Sequence, residues 1–251
     1  MISYDHSKNL HTQEGPRVAI PILFGDKVPF SLLDVGCGRG TWIKAAKESG
    51  VKECFGVDGV DITTDDLLFR KENFLHQDLT KPWDLKRRFD LVLCLEVAEH
   101  LDKGFAPILI DALTKHSDRI VFSAACPGQP GQHHVNCQWP EYWQRLFNDF
   151  GFVCQDEIRW KIWANSQIEP WYRQNLFVAV KNPLLAGREA RLASVVHPDM
   201  IPSFLDAAFG SHVKTIENGV MPAEWYIRTS TSSFWSKLKR RLCIRPSASS
   251  F

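Results

Sequence analysis

The feature that most constrains this chain is the run Ser31-Leu-Leu-Asp-Val-Gly-Cys-Gly-Arg-Gly40. A short apolar stretch (Leu32, Leu33, Val35) breaks into glycines at alternate positions, and a helix-like segment over residues 41–49 follows directly. Strand, glycine turn and helix in that order are how a doubly wound sheet brings backbone close to a nucleotide-like ligand. Glycine suits such a turn because a Cβ would hold the ligand away and because tight turns demand positive φ. Asp34 is the odd residue out: a carboxylate just before the turn repels a pyrophosphate and welcomes a cation.

The spacing also differs from the dinucleotide fingerprint, which is G-x-G-x-x-G, whereas here Asp34 is followed by Gly36, Gly38 and Gly40. This pattern resembles motif I of the class I S-adenosylmethionine (SAM)-dependent methyltransferases, whose cofactor carries a sulfonium cation and an amino-acid end. The resemblance implies a Rossmann-like α/β fold, a seven-stranded, mostly parallel sheet with helices on both faces. It covers about residues 30–182, leaving a segment at 1–29 near the cofactor mouth and an extension at 183–251.

Further along the chain, a strand over residues 53–57 ends in Asp58, twenty positions after Gly38. A carboxylate there can accept hydrogen bonds from both ribose hydroxyls, although an acidic strand end beside Asp61, Asp65 and Asp66 has the same appearance. Residues 63–71 read as a helix, and 74–79 as a third strand with Asp78 near its end. Residues 89–96 form a near-continuous apolar run closing on Glu96, as expected of a parallel strand buried on both faces. Four acids at four strand ends line up where open α/β sheets bind ligands. By the resemblance, Asp34 with the turn Gly36, Cys37, Gly38 and Gly40 holds the methionine end of SAM. Asp58 and Gly59 take the ribose, Asp78 and Leu79 the adenine, and Glu96 closes the set.

The remaining elements are a helix over residues 102–116, confined or kinked by Pro107, a strand over 119–125 and a helix over 140–150. Final strands are expected at 152–163 and 175–181, joined by a turn around Glu169 and Pro170. Residues 1–29 show no strong period, with Pro16 and Pro21 interrupting the apolar stretch 17–24. Residues 184–196 have the pattern of a helix. The stretch 232–245 interleaves Phe234, Trp235, Leu238, Leu242 and Ile244 with lysines and arginines. As an amphipathic helix it can pack on its own domain, lie on an anionic membrane or dock on a partner.

Methyl transfer to a hydroxyl needs an aligned acceptor, exclusion of water and removal of one proton. Two clusters after strands four and five carry suitable groups. The first is Glu96, Glu99 and His100. The second is the glycine- and proline-rich loop 127–140 with His133 and His134. Two carboxylates and imidazoles also suit a hard divalent cation such as Mg²⁺, with Glu96, Glu99, His100 and His134 as ligands. E-x-x-E-H with a later histidine resembles the metal set of small-RNA 2′-O-methyltransferases, and a similar run occurs in ubiquinone-biosynthesis O-methyltransferases and in metal-free relatives. Without metal, His134, or otherwise His133, is the base, or it only holds the loop; His100 lies beside them. The block from Gly131 to Trp143 is similar to methyltransferases encoded with surface-glycan genes, which implies a sugar hydroxyl as acceptor.

Composition closes off other classes. With 251 residues, 44% apolar content and 24% charged residues, a sizeable core is expected. A net charge of +1 and the lack of a basic stripe in the core argue against nucleic acid. Seven scattered cysteines without a C-x-x-C pair point to reduced thiols in a cytoplasm-like compartment, and no stretch reads as a signal peptide or membrane span. The leading expectation is a SAM-dependent O-methyltransferase acting on a sugar hydroxyl of a surface glycan or its precursor. The rivals are a methyltransferase for an aromatic or quinone-like metabolite or an RNA 2′-hydroxyl, and a non-catalytic SAM-binding partner module.

Overall fold

Buried apolar strands at the centre of the chain decide the architecture. In β1 (Ser31–Val35) and β4 (Leu91–Leu95) every residue is buried, so both strands must be covered on both faces. The computed structural model describes Tyr4 and residues 12–207; the amphipathic stretch 232–245 lies outside them. Residues 1–204 form one compact unit, which holds all that follows.

Strands β2 (Glu53–Asp58), β3 (Phe74–His76), β5 (Arg119–Ser123), β6 (Phe152–Gln155) and β7 (Phe177–Lys181) complete a seven-stranded sheet. Its order is β3-β2-β1-β4-β5-β7-β6. β1 to β5 pair in parallel, and β7 runs antiparallel to both β5 and β6. The sheet is thus Rossmann-like and mostly parallel. Helices α1 (Glu14–Phe24), α2 (Thr41–Glu48) and α5 (Glu157–Ile162) contribute Ile20, Leu23, Ile43, Ala46 and Ile162 to the core of one face. On the other face, α3 (Ala106–His116) and α4 (Pro140–Asp149) bury Leu109, Ile110, Leu113, Trp143 and Phe147. A short helix, α6 (Pro170–Asn175), precedes β7, and residues 201–207 are helical again.

Several expectations are corrected. The proline-interrupted stretch before β1 is a helix. Pro16 falls in its first turn, where the missing N–H costs nothing. Pro21 is exposed, so the Arg17 carbonyl it leaves without a donor can reach water. The helix expected over 63–71 is absent: only 3-10 turns occur, at Thr64–Asp66 and Lys71–Asn73. There the Thr63 hydroxyl donates to Asp66 at 2.6 Å and the Leu68 N–H donates to the Arg39 carbonyl at 2.8 Å, diverting the chain from helical bonding. The strand expected over 152–163 ends at Gln155 and becomes α5. The fully buried Arg159 guanidinium seals that helix start with bonds to Asp156 at 2.6 Å and to the Ala193 carbonyl at 2.8 Å.

Residues 184–196, expected as a helix, form turns and an irregular strap. The strap is tied down by side chains instead of a helical ladder. Glu189 accepts from Gln144, Asn148 and the Cys154 N–H, and the Leu192 N–H donates to Gln144. Among the described residues no helix is long and apolar enough to cross a membrane. Phe122 in β5 lies at the heart of the α3/α4 face, with its ring 5.3 Å from those of Trp143 and Phe177. Phe122→Ala is expected to cost about 3–5 kcal/mol of stability, as truncation of a packed aromatic does. A shift of less than about 1 kcal/mol in denaturant unfolding would contradict that packing.

Candidate active site

The carboxyl ends of the parallel strands open into a cavity of about 700 Å³. The glycine turn between β1 and α2 closes tightly: the N–H groups of Gly36 and Cys37 both donate to the Val57 carbonyl, at 2.7 and 3.1 Å, and Gly40 N–H donates to Cys37 at 2.9 Å. Gly36, Gly38 and Gly40 all have positive φ. The reason glycine is needed is partly different from the expected one. A Cβ on Gly36 would lie 2.2 Å from the Val97 side chain, and one on Gly40 would lie 2.3 Å from the Phe69 ring. These glycines let the turn pack into the protein; they are not required merely to clear a ligand.

Of the cofactor-side positions, Asp34, Gly36, Cys37, Gly38, Asp58, Gly59, Asp78, Leu79 and Glu96 line the cavity. Gly40 does not, because it sits one turn back under Phe69. Asp34 is 2% exposed and its Oδ2 has no hydrogen-bond partner. Desolvation, with repulsion from Asp58 added, pushes its pKa up to about 8. Asp58 is held differently, accepting from the Gly38 N–H and the Val60 N–H, each at 2.8 Å. Asp78 stays ionised, its pKa held down to about 2 first by the Thr80 hydroxyl at 2.6 Å and then by Lys81, whose ammonium is 3.0 Å away.

At the other end of the cavity, Glu96 has a left-handed backbone (φ 55°), a strained conformation for a residue with a side chain. Its carboxylate accepts from Gln129 Nε2 at 2.9 Å and Asn175 Nδ2 at 3.1 Å, while burial pushes its pKa up. Glu99 is fully buried, and its carboxyl group lies against that of Glu96, with which it can share a proton. Burial, with the neighbouring Glu96 charge added, pushes its pKa up as well. His100 and His134 stand beside it with ring centroids 5.1 Å apart. Glu99, His100 and His134 each offer an atom within 4.8 Å of the others, a spacing that a cation could fill. Glu96, expected among these ligands, is not in the group; Asn175 and Gln129 occupy its oxygens.

Burial lowers the pKa of both histidines, His100 to about 4, so both are neutral near pH 7. His134 Nδ1 lies 3.0 Å from the Gln129 carbonyl, which assigns the ring hydrogen to Nδ1 and leaves Nε2 its lone pair. Gly131 makes this pose possible, since a Cβ there would lie 2.1 Å from His134 Nε2. His133 is exposed and is not among the residues that line the cavity, and its carbonyl lies 3.4 Å from His100 Nδ1. Sequence reasoning missed the walls. Tyr4, Trp42, Trp171, Tyr172, Met200 and Ser203 all line the cavity, and neither periodicity nor motif spacing links them to the strand ends.

A methyltransferase-domain family model matches residues 11–157, more than half of the chain. The chain belongs to that family. The enzyme class is therefore SAM-dependent methyltransferase, with SAM as the cofactor. Among solved structures, Streptomyces venezuelae DesVI is similar at a TM-score of 0.53 and 13% identity, covering 67% of this chain and 92% of that one. A plantazolicin methyltransferase, BpumL, in complex with a pentazolic desmethylPZN analog and SAH gives a TM-score of 0.51 and 16% identity, over 71% and 88% of the two chains. Magnesium protoporphyrin IX methyltransferase (ChlM) from Synechocystis PCC 6803 with bound SAM gives 0.48 and 21%, over 68% and 79%. The first two share the fold with this methyltransferase. No curated protein matched the chain.

The unpartnered Asp34 oxygen fits a cofactor that brings a cation. With an Asp34 pKa of about 8, the free protein holds a proton there at pH 7 that pairing with an ammonium would release. SAM affinity is therefore expected to rise by up to about tenfold per pH unit between pH 6 and 8. Calorimetry at pH 7 in buffers of different ionisation enthalpy should register close to one proton released. Asp34→Asn should bind more weakly and lose the pH dependence; a pH-independent wild type would contradict the assignment.

Proposed function

We propose that this methyltransferase methylates a hydroxyl group of a neutral acceptor, for which a sugar hydroxyl of a glycan or its precursor is the best match. Bound SAM supplies an activated methyl group on a sulfonium centre. The observation that carries the reading is the polarity of the cavity at the strand ends. One end offers the unpartnered Asp34 carboxyl, and the other a neutral His134 whose Nδ1 is committed to the Gln129 carbonyl.

Each residue then has a defined task. Asp34 pairs with the amino group of the methionine end, Asp58 accepts from the ribose hydroxyls, and Asp78 with Leu79 faces the adenine. The Gly38 and Val60 N–H groups fix the direction of the Asp58 carboxylate at the end of β2. His134 Nε2 takes the hydroxyl proton as the new C–O bond forms. Tyr4, Trp171 and Tyr172 wall the acceptor end, where aromatic faces can stack on a sugar ring and keep water out.

A second reading is favoured by Glu99. A fully buried carboxyl group beside two neutral imidazoles either keeps a proton, shared with Glu96, or takes a cation between them. Glu99, His100 and His134 would hold a divalent ion, which supplies Lewis acidity toward a vicinal diol. This extends the acceptors to catechol- or quinol-like metabolites.

Turnover on a panel of sugars and catechols, with added Mg²⁺ or chelator, separates the two readings. His134→Ala should lower kcat by about 10²–10⁴-fold and leave SAM affinity unchanged. Retained activity in that variant would remove His134 from either role. Loss of activity with chelator would favour the second reading, and indifference to it the first.

A further inference from the structure

Behind the acceptor end of the cavity lies a buried hydrogen-bond network that the steps above leave unused, and Gln174 is at its centre. This residue sits in the last turn of α6 and is 1% exposed. Its Nε2 lies 3.0 Å from Asn175 Oδ1, 3.3 Å from Gln129 Oε1 and 3.1 Å from Cys126 Sγ. Its Oε1 accepts from the His197 N–H at 2.8 Å. Its two amide hydrogens are shared among three acceptors and its carbonyl oxygen takes the His197 N–H, so the side chain joins three different parts of the chain.

Each of those parts leads to the site. Gln129 holds His134 with its carbonyl and Glu96 with its side chain, and Asn175 holds both Glu96 and Gln129 Oε1. His197 opens the 3-10 turn Pro198–Met200, whose Met200 lines the cavity together with Ser203. That turn is anchored from α6 as well, because Arg173 Nη2 donates to Asp199 at 2.7 Å. A buried amide costs free energy unless every polar atom is matched, and a fully matched one constrains direction as well as distance. An apolar side chain could have filled the same space without linking the three parts.

We propose that Gln174 is a positioning residue that sets the His134 loop and the 197–203 wall in register, so that the base and the acceptor wall move as one unit. The inference rests on the reading of His134 given above. It places part of acceptor positioning in residues 170–203, beyond the segment matched by the methyltransferase family model.

The test uses the full chain with Gln174→Met, which keeps the length and removes all four contacts. SAM affinity by calorimetry should stay within twofold. The kcat on an accepted hydroxyl should fall at least tenfold, and hydrogen exchange should accelerate at least tenfold in both 127–139 and 192–204. Asp199→Ala acts from the exposed far end and avoids a buried substitution. It should accelerate exchange in 192–204 and, through Gln174, in 127–139.

Unchanged kcat in Gln174→Met, or faster exchange in only one of the two segments in either variant, would overturn the proposal. A wild type that fails to bind SAM would instead overturn the functional reading, while the exchange result would still decide whether the two segments are linked.

Discussion

Withdrawal of carboxylates from water at the carboxyl end of a parallel sheet is the constraint on which this structure turns. Asp34, Asp58, Glu96 and Glu99 lie around one cavity, and each is solvated by the protein to a different degree. Asp58 receives two backbone N–H groups, and Glu96 receives two side-chain amides. Asp34 keeps one oxygen without a partner, and Glu99 is buried against the Glu96 carboxyl group. Burying an ionised carboxylate without compensation is costly, so such groups either hold a proton or await a positive partner. The two least satisfied acids mark the two ends of the cavity, and these are where the proposed chemistry needs positive charge or proton exchange.

The packing around them explains why the site is rigid enough to use. Gly36 and Gly40 let Val97 and Phe69 press against the turn, so its backbone is fixed by one side chain from just after β4 and one from between the two 3-10 turns. Glu96 accepts a strained backbone and is kept in place by Asn175, Gln129 and the Ser123 bonds to its N–H. The strap over residues 183–197 lacks a helical ladder, yet Arg159, Arg173, Gln144 and Glu189 tie it to α4, α5 and α6. Buried polar side chains in this protein therefore serve mainly to attach irregular backbone to regular elements.

Much of this was legible in the sequence where the signal is local. Asp34, Asp58, Asp78 and Glu96 each end an apolar run, and the parallel sheet brings them to one rim because that is where such runs end. Other features were not legible, for identifiable reasons. Pro21 hides α1 from a periodicity reading, although on the exposed face it is tolerated. Residues 152–163 alternate like a strand, and only the burial of Arg159 against Asp156 and Ala193 turns the second half into a helix. His133 and His134 are chemically identical neighbours. The left-handed backbone at His133 (φ 51°) and the opening left by Gly131 send one ring to solvent and the other inward.

By itself, the sequence determined the strand ends, the glycine turn and hence the kind of cofactor, because those depend on residue type at fixed short spacing. Tertiary structure alone decided which histidine faces the cavity, that Glu99 and not Glu96 joins the two imidazoles, and that Trp171, Tyr172, Met200 and Ser203 line the cavity. The His134 pose rests on a bond to Gln129 inside one loop, whereas the bonds that hold Glu96 and His197 join residues 79 and 23 positions apart. Long-range bonds of this kind leave no periodic trace in the chain, and only folding brings their partners together.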